Sequence, residues 1–354
     1  MMKTALMIYR WILISVLLQL VVLSFINFVF LTSRSQVKAT SFEVAEEKPK
    51  TDVSLKVSRN ASNFQVSFNG SYASYVQNDK LVIVNLLNKK EIKTIYASPD
   101  ALTYYRWLPD RNMVIYSLST REDNPAGVRI YTYDVDTGVE RDYPRISNIP
   151  KGSKVVDIEV SPLTNVVYLK MVVGNTRANI YKFNIMNNLS YIMSTSTDSV
   201  IKETNCSDKL VYQDGRKKLF VRDGIKNVTW SFPFKKKMSL LEVDSEDRVY
   251  VGELDEAGKV VRILYGKLSV EPDKAWSQIM LKRPVIPDNI TVTPNGTVYE
   301  LVESDRCVYN VRNNSQITYK GKFVCILNDY IVSIDNNDEI IISIIKGDDD
   351  KLKN

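Results

Sequence analysis

Trp107-Leu108-Pro109-Asp110-Arg111, then Met113-Val114-Ile115-Tyr116, then Arg129-Ile130-Tyr131-Thr132-Tyr133-Asp134, and a turn at Asp136-Thr137-Gly138 is the stretch that decides the fold. Short runs of β-branched and aromatic residues alternate with Pro, Asp, Asn and Gly, the pattern of strands joined by tight turns. The order also occurs one unit upstream. Val66-Ser67-Phe68-Asn69-Gly70 precedes Tyr72-Ala73-Ser74-Tyr75-Val76, Leu81-Val82-Ile83-Val84-Asn85 and Glu91-Ile92-Lys93-Thr94-Ile95. It returns downstream, with decay, at Val160-Ser161-Pro162, Asn205-Cys206-Ser207-Asp208, Val243-Asp244-Ser245-Glu246-Asp247 and Val292-Thr293-Pro294-Asn295-Gly296. Each of these four is followed by an apolar pair carrying tyrosine: Val167-Tyr168, Val211-Tyr212, Val249-Tyr250 and Val298-Tyr299. Self-similarity at a period of about 40 residues predicts an all-β domain built as propeller blades.

These units resemble the WD40-like, TolB-type β-propeller repeat, which runs F-S-P-D-G, then I-A-Y, then I-Y-x-x-D and a T-G turn. The resemblance covers most of residues 52–347, although most copies here lack at least one of the Pro, Asp and Gly. It implies a β-propeller, with seven blades the expected number and six or eight the alternatives. Six units are complete, and a seventh has only Phe323-Val324-Cys325-Ile326, Tyr330-Ile331-Val332-Ser333 and Ile340-Ile341-Ile342-Ser343-Ile344. The missing fourth strand is assigned to Asp52-Val53-Ser54-Leu55-Lys56-Val57. Pairing the first strand with the last blade closes the ring and covers two edges of unpaired backbone groups.

Ahead of this domain lies an apolar run over residues 11–32, interrupted strongly only by Gln19 and Asn27. About 20 apolar residues in a helix cross a hydrocarbon core, whereas the apolar part of a secretory leader is about 7–15 residues. The run is therefore read as an uncleaved transmembrane signal-anchor and the chain's contact with the lipid bilayer. It follows a short cytoplasmic tail (1–10) and precedes a linker (33–51), the propeller (52–347) and a polar tail (348–354). Lys3 and Arg10 precede the run, Arg34 and Lys38 follow it, and long domains translocate largely regardless of charge. The expected location is the cell membrane, single-pass, with the large C-terminal domain outside the cytoplasm.

Histidine is absent from the chain. That removes Ser-His-Asp and Cys-His catalysis, the H-E-x-x-H zinc site and imidazole proton transfer. No G-x-S-x-G elbow and no G-x-x-x-x-G-K-[ST] loop occurs, and neither a catalytic residue, a cofactor nor a metal is expected. Carboxylate pairs remain: Asp157 with Glu159 on an inner strand, and Asp244 with Glu246 at a repeat turn. Asp134–Gly138 and Asp335–Asp338 depart from the calcium-loop pattern and are read as hairpins. The net charge of +6 is spread over Lys89-Lys90, Lys217-Lys218 and Lys235-Lys236-Lys237, each beside a turn. These clusters are read as solvated loops, with anionic polymer or lipid headgroups as the other reading. No nucleic-acid reader motif occurs, and nucleic acid is not an expected partner. Cys206, Cys307 and Cys325 permit at most one disulfide and are read as small, partly buried side chains. Sequons stand at Asn60, Asn69, Asn188, Asn205, Asn227, Asn289, Asn295 and Asn313.

Trp107 holds the repeat position filled elsewhere by apolar residues and is expected in the core. Its neighbour Arg106 then faces the other way, on the same side as Tyr104. Both line the central channel if this is an innermost strand, and they are the candidate binding residues. The function expected is that of a noncatalytic platform of the cell envelope, binding a protein or envelope-polymer partner. A carbohydrate-active enzyme using paired carboxylates and a purely structural envelope component are the alternatives.

Overall fold

The computed structural model describes residues 2–26, 52–120, 126–184, 186, 188–268, 276–327 and 329–345. The chain forms two compact units, residues 1–46 and 47–354. In the first, helix α1 spans Met2–Ile26, and every residue of it from 11 to 25 is exposed. Among the described residues, no helix is long and apolar enough to cross a membrane. Residues 27–32 of the expected span lie outside the described residues, as does the linker 33–51.

The second unit consists of seven antiparallel sheets. Strand β1 (Val53–Lys56) comes first. Blade 1 contains β2 (Ser62–Val66), β3 (Tyr72–Gln77), β4 (Lys80–Asn85) and β5 (Glu91–Tyr96). Blade 2 contains β6 (Ala101–Trp107), β7 (Met113–Ser119) and β8 (Gly127–Asp134), with two short strands, β9 (Glu140–Asp142) and β10 (Ile146–Ser147), both pairing β8. Blade 3 is β11 (Lys154–Ser161), β12 (Val166–Val172), β13 (Arg177–Asn184) and β14 (Ser190–Ser196). Blade 4 is β15 (Val200–Glu203), β16 (Lys209–Gln213), β17 (Leu219–Asp223) and β18 (Val228–Ser231). Blade 5 is β19 (Met238–Val243), β20 (Arg248–Leu254), β21 (Val260–Lys267) and β22 (Ser277–Val285). Blade 6 is β23 (Ile290–Val292), β24 (Val298–Val302), β25 (Cys307–Asn310) and β26 (Gln316–Thr318). Blade 7 is β27 (Lys322–Ile326), β28 (Tyr330–Ile334) and β29 (Glu339–Ile344), completed by β1.

Turn chemistry makes these strands short. Asn78 and Asp79 both adopt left-handed φ, 52° and 58°, which gives the two-residue hairpin joining β3 to β4 in register Gln77 opposite Lys80. The two runs set aside as possible calcium loops are hairpins: Asp134 Oδ1 accepts from the N–H of Asp136 and Thr137, and Asp335 Oδ1 from those of Asn337 and Glu339. Among the described residues no acidic or sulfur cluster is arranged to hold a metal.

The core lies between blades. Val114 and Tyr116 of β7 pack with Leu81 and Ile83 of blade 1, while the intervening Ile115 packs with Val155, Leu169 and Met171 of blade 3. Both faces of a middle strand are thus buried, and β4 and β7 carry apolar runs over residues 81–84 and 113–116, while Lys170 interrupts that of β12. The repeat turns carry a second set of links. Ser161 Oγ donates to the Asn205 carbonyl at 2.7 Å, and Asn205 Nδ2 to that of Asp244 at 2.7 Å. Asp247 Oδ1 receives the N–H of Cys206 at 2.9 Å, and Ser245 Oγ donates to the Pro294 carbonyl at 2.8 Å. The degenerate turn motif therefore joins blade 3 to blade 4, blade 4 to blade 5 and blade 5 to blade 6. It also occupies two sequons, since Asn69 is buried, its Oδ1 accepting from Ser67 and Ser71, and the Asn205 amide is engaged. All three cysteines are free; Cys307 is buried and Cys325 partly so, but Cys206 is exposed, because it sits in one of these turns.

Closure follows the expected route. β1 pairs β29 antiparallel, with Val53 opposite Ile342 and Leu55 opposite Ile340. The Asp52 carboxylate extends the ladder by accepting the Ile344 N–H at 3.1 Å and the Ser343 hydroxyl at 3.3 Å. Leu55, buried at 8 % exposure, belongs to the cluster of Val66, Val84, Val332 and Ile342 that joins blade 7 to blade 1. Leu55→Ala is expected to lower unfolding free energy by about 2–4 kcal/mol, and the neighbouring, exposed Lys56→Ala by little. Deleting residues 52–58 bares β29 and should promote association, read by light scattering alongside thermal unfolding.

Candidate functional site

Seven inner strands, β2, β6, β11, β15, β19, β23 and β27, begin the seven blades, and successive members such as β6 with β11 and β11 with β15 pack side by side. Each ends in the same way: a buried residue, then a turn. The buried residues are Val66, Trp107, Val243, Val292 and Ile326, with a half-buried Val160 in blade 3. Trp107 is core, as expected. It is 5 % exposed, its Nε1 donates to Ser74 Oγ at 2.8 Å, and its ring stacks on Tyr72.

The residue before each of these faces the opposite way, toward the channel. Reading around the ring gives Gln65, Arg106, Glu159, Lys202 and Glu242, with Thr291 and Cys325 completing the set. Four consecutive members carry alternating charge, and they pair. Arg106 Nη1 lies 2.8 Å from Glu159 Oε1, Lys202 Nζ 3.2 Å from the same oxygen, and Lys202 Nζ 2.8 Å from Glu242 Oε2. Backbone contacts repeat as well: Gln65 Nε2 donates to the Tyr105 carbonyl at 2.9 Å, and Arg106 Nη1 to the equivalent Ile158 carbonyl at 2.8 Å. Tyr104, two residues before Arg106, donates its hydroxyl to Asp157 Oδ1 at 3.3 Å. Lys170 stands across the ladder from Asp157 and donates to the carbonyls of Thr197 and Ser199, which lead into blade 4.

Electrostatics follow from this geometry. Beside Glu159 the Arg106 guanidinium is held more firmly protonated, despite its partial desolvation. Burial alone raises Glu159, but Arg106 and Lys202 outweigh it and hold the carboxyl below its usual range. For Lys202, burial opposes protonation, and Glu159 and Glu242 more than restore it. Asp157 is pushed up to about 6 by burial and then by Glu159. Burial, with Asp157 adding to it, also raises Tyr104.

The structure places the two candidate binding residues, Tyr104 and Arg106, on an inner strand and brings them to Asp157 and Glu159. Asp244 and Glu246 are not part of this group. Asp244 is fully buried in its turn, taking the Tyr250 hydroxyl at 3.0 Å and Arg248 Nε at 2.6 Å. Lys202 and Glu242 were not singled out from sequence. Their signal was available in the residue preceding the core position of each repeat, once blades 4 and 5 are aligned on their turns.

That alignment also exposes an exception. In blade 4 the core position is Glu203, 4 % exposed, and neither carboxylate oxygen has a hydrogen-bond partner meeting full geometry. Burial, with Glu159 and Asp208 nearby, raises its pKa well above the ordinary 4.5. The protonated form is therefore the one that folding favours. The resulting stability is complete below about 4.5, the unfolded value, and is lost as pH climbs toward the folded value. Asp157 acts in the same direction between 3.8 and about 6.

The seven sheets define a WD40-like, seven-bladed β-propeller preceded by an N-terminal helix. Solved structures share this fold. A KlHsv2 variant with loop 6CD replaced by a Gly-Ser linker superposes with a TM-score of 0.52 at 15 % identity, covering 83 % of this chain and 95 % of that one. The β-propeller domain of Myceliophteria thermophila Cps50 (Swd1) gives 0.53 at 11 % identity, covering 82 % and 98 %. No protein-family description and no curated protein sequence matches the chain.

Glu203→Val, which restores the apolar residue of the other blades, is expected to raise the melting temperature at pH 8 and to flatten the fall in stability between pH 5 and pH 8. Arg106→Met, which leaves the buried Glu159 short of a partner, should cost about 2 kcal/mol or more, and the double variant Arg106→Met/Glu159→Gln should recover much of it. Denaturant titration checks both.

Proposed function

We propose that the protein is a membrane-anchored, extracytoplasmic β-propeller acting as a noncatalytic platform of the cell envelope that binds or assembles protein or envelope-polymer partners. The observation that carries this reading is the mutual neutralisation of the channel charges. Arg106, Glu159, Lys202 and Glu242 are engaged with one another, so the groups best placed for catalysis serve instead to fix four blades. Tyr104 and Arg106 remain the binding pair of choice, because Arg106 keeps 31 % of its side chain exposed. A rigid ring presenting loops on both faces suits a platform, and membrane attachment through residues 11–32 rests on the apolar run that α1 begins. TolB-type kinship rests on the repeat pattern alone.

A second reading has one observation in its favour. Asp157 is pushed up to about 6 while its neighbour Glu159 is held low, the split of values that acid–base catalysis by paired carboxylates uses. Under the platform reading, the purified protein hydrolyses no glycoside, ester or peptide. Turnover of a glycoside abolished by Asp157→Asn would transfer the assignment to a carbohydrate-active enzyme.

Topology has a direct test. Cys206 is exposed, so Thr51→Cys is introduced into a Cys206→Ser background. A membrane-impermeant maleimide should label Thr51→Cys on intact cells; labelling only after lysis places the ring in the cytoplasm. Crosslinking in intact cells, compared between the unaltered chain and Tyr104→Ala/Arg106→Ala, then reports whether the channel pair contacts the captured partner.

A further inference from the structure

Trp230-Ser231-Phe232-Pro233-Phe234-Lys235-Lys236-Lys237 runs from the outer strand of blade 4 to the inner strand of blade 5, and the channel makes no use of it. Its aromatic side chains are only partly covered. Trp230 is 39 % exposed, and Phe232 and Phe234 are half-buried. Phe232 and Phe234 stack with ring centroids 5.5 Å apart, and Trp276 of blade 5 meets them edge-on at 5.7 and 6.0 Å. The Trp276 indole nitrogen is buried and has no hydrogen-bond acceptor among the described residues. Exposed Val228 and Ile225 extend the apolar surface back along blade 4.

Beside this cluster the three lysines are exposed. Lys236 pairs with Glu253, a carboxylate that Arg262 also holds. Lys235 and Lys237 have no ion-pair partner among the described residues. The surface therefore combines one exposed indole, that of Trp230, and the partly exposed edge of an aromatic cluster packed on the core with unneutralised positive charge.

We infer that this run is a membrane-contact surface that takes an anionic lipid bilayer. Tryptophan concentrates at the headgroup level, and lysine lays its apolar stem along such a surface while its ammonium group meets the headgroups. Each lysine close to an anionic leaflet adds attraction that salt weakens. An acidic protein segment is the other occupant of matching charge. The bilayer is favoured because an exposed tryptophan stands beside two lysines that lack an ion-pair partner among the described residues, a pairing suited to the headgroup level, whereas an acidic segment would need the lysines alone. The inference rests on the proposed anchor, which holds the ring at high effective concentration near lipid. It does not depend on which side of the membrane the ring occupies.

The test uses the full chain in nanodiscs of brominated lipid, either phosphatidylcholine alone or phosphatidylcholine with phosphatidylglycerol. In a Trp11→Phe protein the remaining tryptophans are Trp107, Trp230 and Trp276, and Trp107 is buried in the ring. Fluorescence should be quenched more in the anionic discs than in the neutral ones. Lys235→Glu/Lys237→Glu or raised salt should remove about half of that difference or more. Equal quenching in both discs, unchanged by the lysine substitutions, overturns the inference and leaves the acidic protein segment as the better occupant. Trp11 of the unaltered chain reports the anchor separately. Quenching of Trp11 in neutral discs without any anionic increment at Trp230 and Trp276 defeats the lipid surface alone, and no quenching of Trp11 in either disc defeats the anchor.

Discussion

The pairing of β1 with β29 is the constraint on which the ring depends. An open seven-sheet array has an unpaired strand edge at the seam between first and last blade, and bare edges pair with other chains. Here the outer strand of the last blade comes from the start of the domain, so closure is a backbone ladder between residues nearly 300 apart in sequence. The Leu55 side chain seals the same seam against Val332 and Ile342. Once closed, the ring sets the inner strands beside one another in fixed register, and one repeat position comes to face the same position in the next blade.

The channel chemistry is a consequence of that register. Arg106, Glu159, Lys202 and Glu242 meet because they are equivalent members of four consecutive inner strands. A buried ion pair gains little over well-packed apolar groups, yet removing one partner leaves a costly unpaired charge. The network is thus better understood as holding one arrangement of blades than as adding net stability. Glu203 shows the reverse case, a carboxyl in the position where other blades place Val, Ile or Trp. Burial and the nearby Glu159 both disfavour its ionised form, so this carboxyl weakens the junction of blades 3 and 4 as pH rises.

Much of this was legible in the sequence, because turn chemistry and strand period are local. The repeat, the seven blades, the closing strand at 52–57, the core role of Trp107 and the inner-strand placement of Tyr104 and Arg106 all follow from short-range pattern. The partners of Arg106 were harder to see. Glu159 drew attention only as a neighbour of Asp157, while Lys202 and Glu242 lie in blades whose turns, Asn205-Cys206-Ser207-Asp208 and Val243-Asp244-Ser245-Glu246, have lost the Pro and Gly that make alignment obvious. The same decay hid Glu203. Its departure from the apolar pattern becomes visible only when Thr204 is matched to Ser67, Leu108 and Ser161 as the first turn residue. Exposure of Cys206 was missed for the same reason, since it belongs to a turn that links blades.

Closure as a cooperative element can be read directly by native-state hydrogen exchange. If β1 is an integral strand of blade 7, the β1 amides that bond to β29 exchange as slowly as those of β28, with the opening free energy of global unfolding. Fast exchange of β1 by a local opening, while β3, β7 and β12 stay protected, would contradict closure as the constraint that holds the ring.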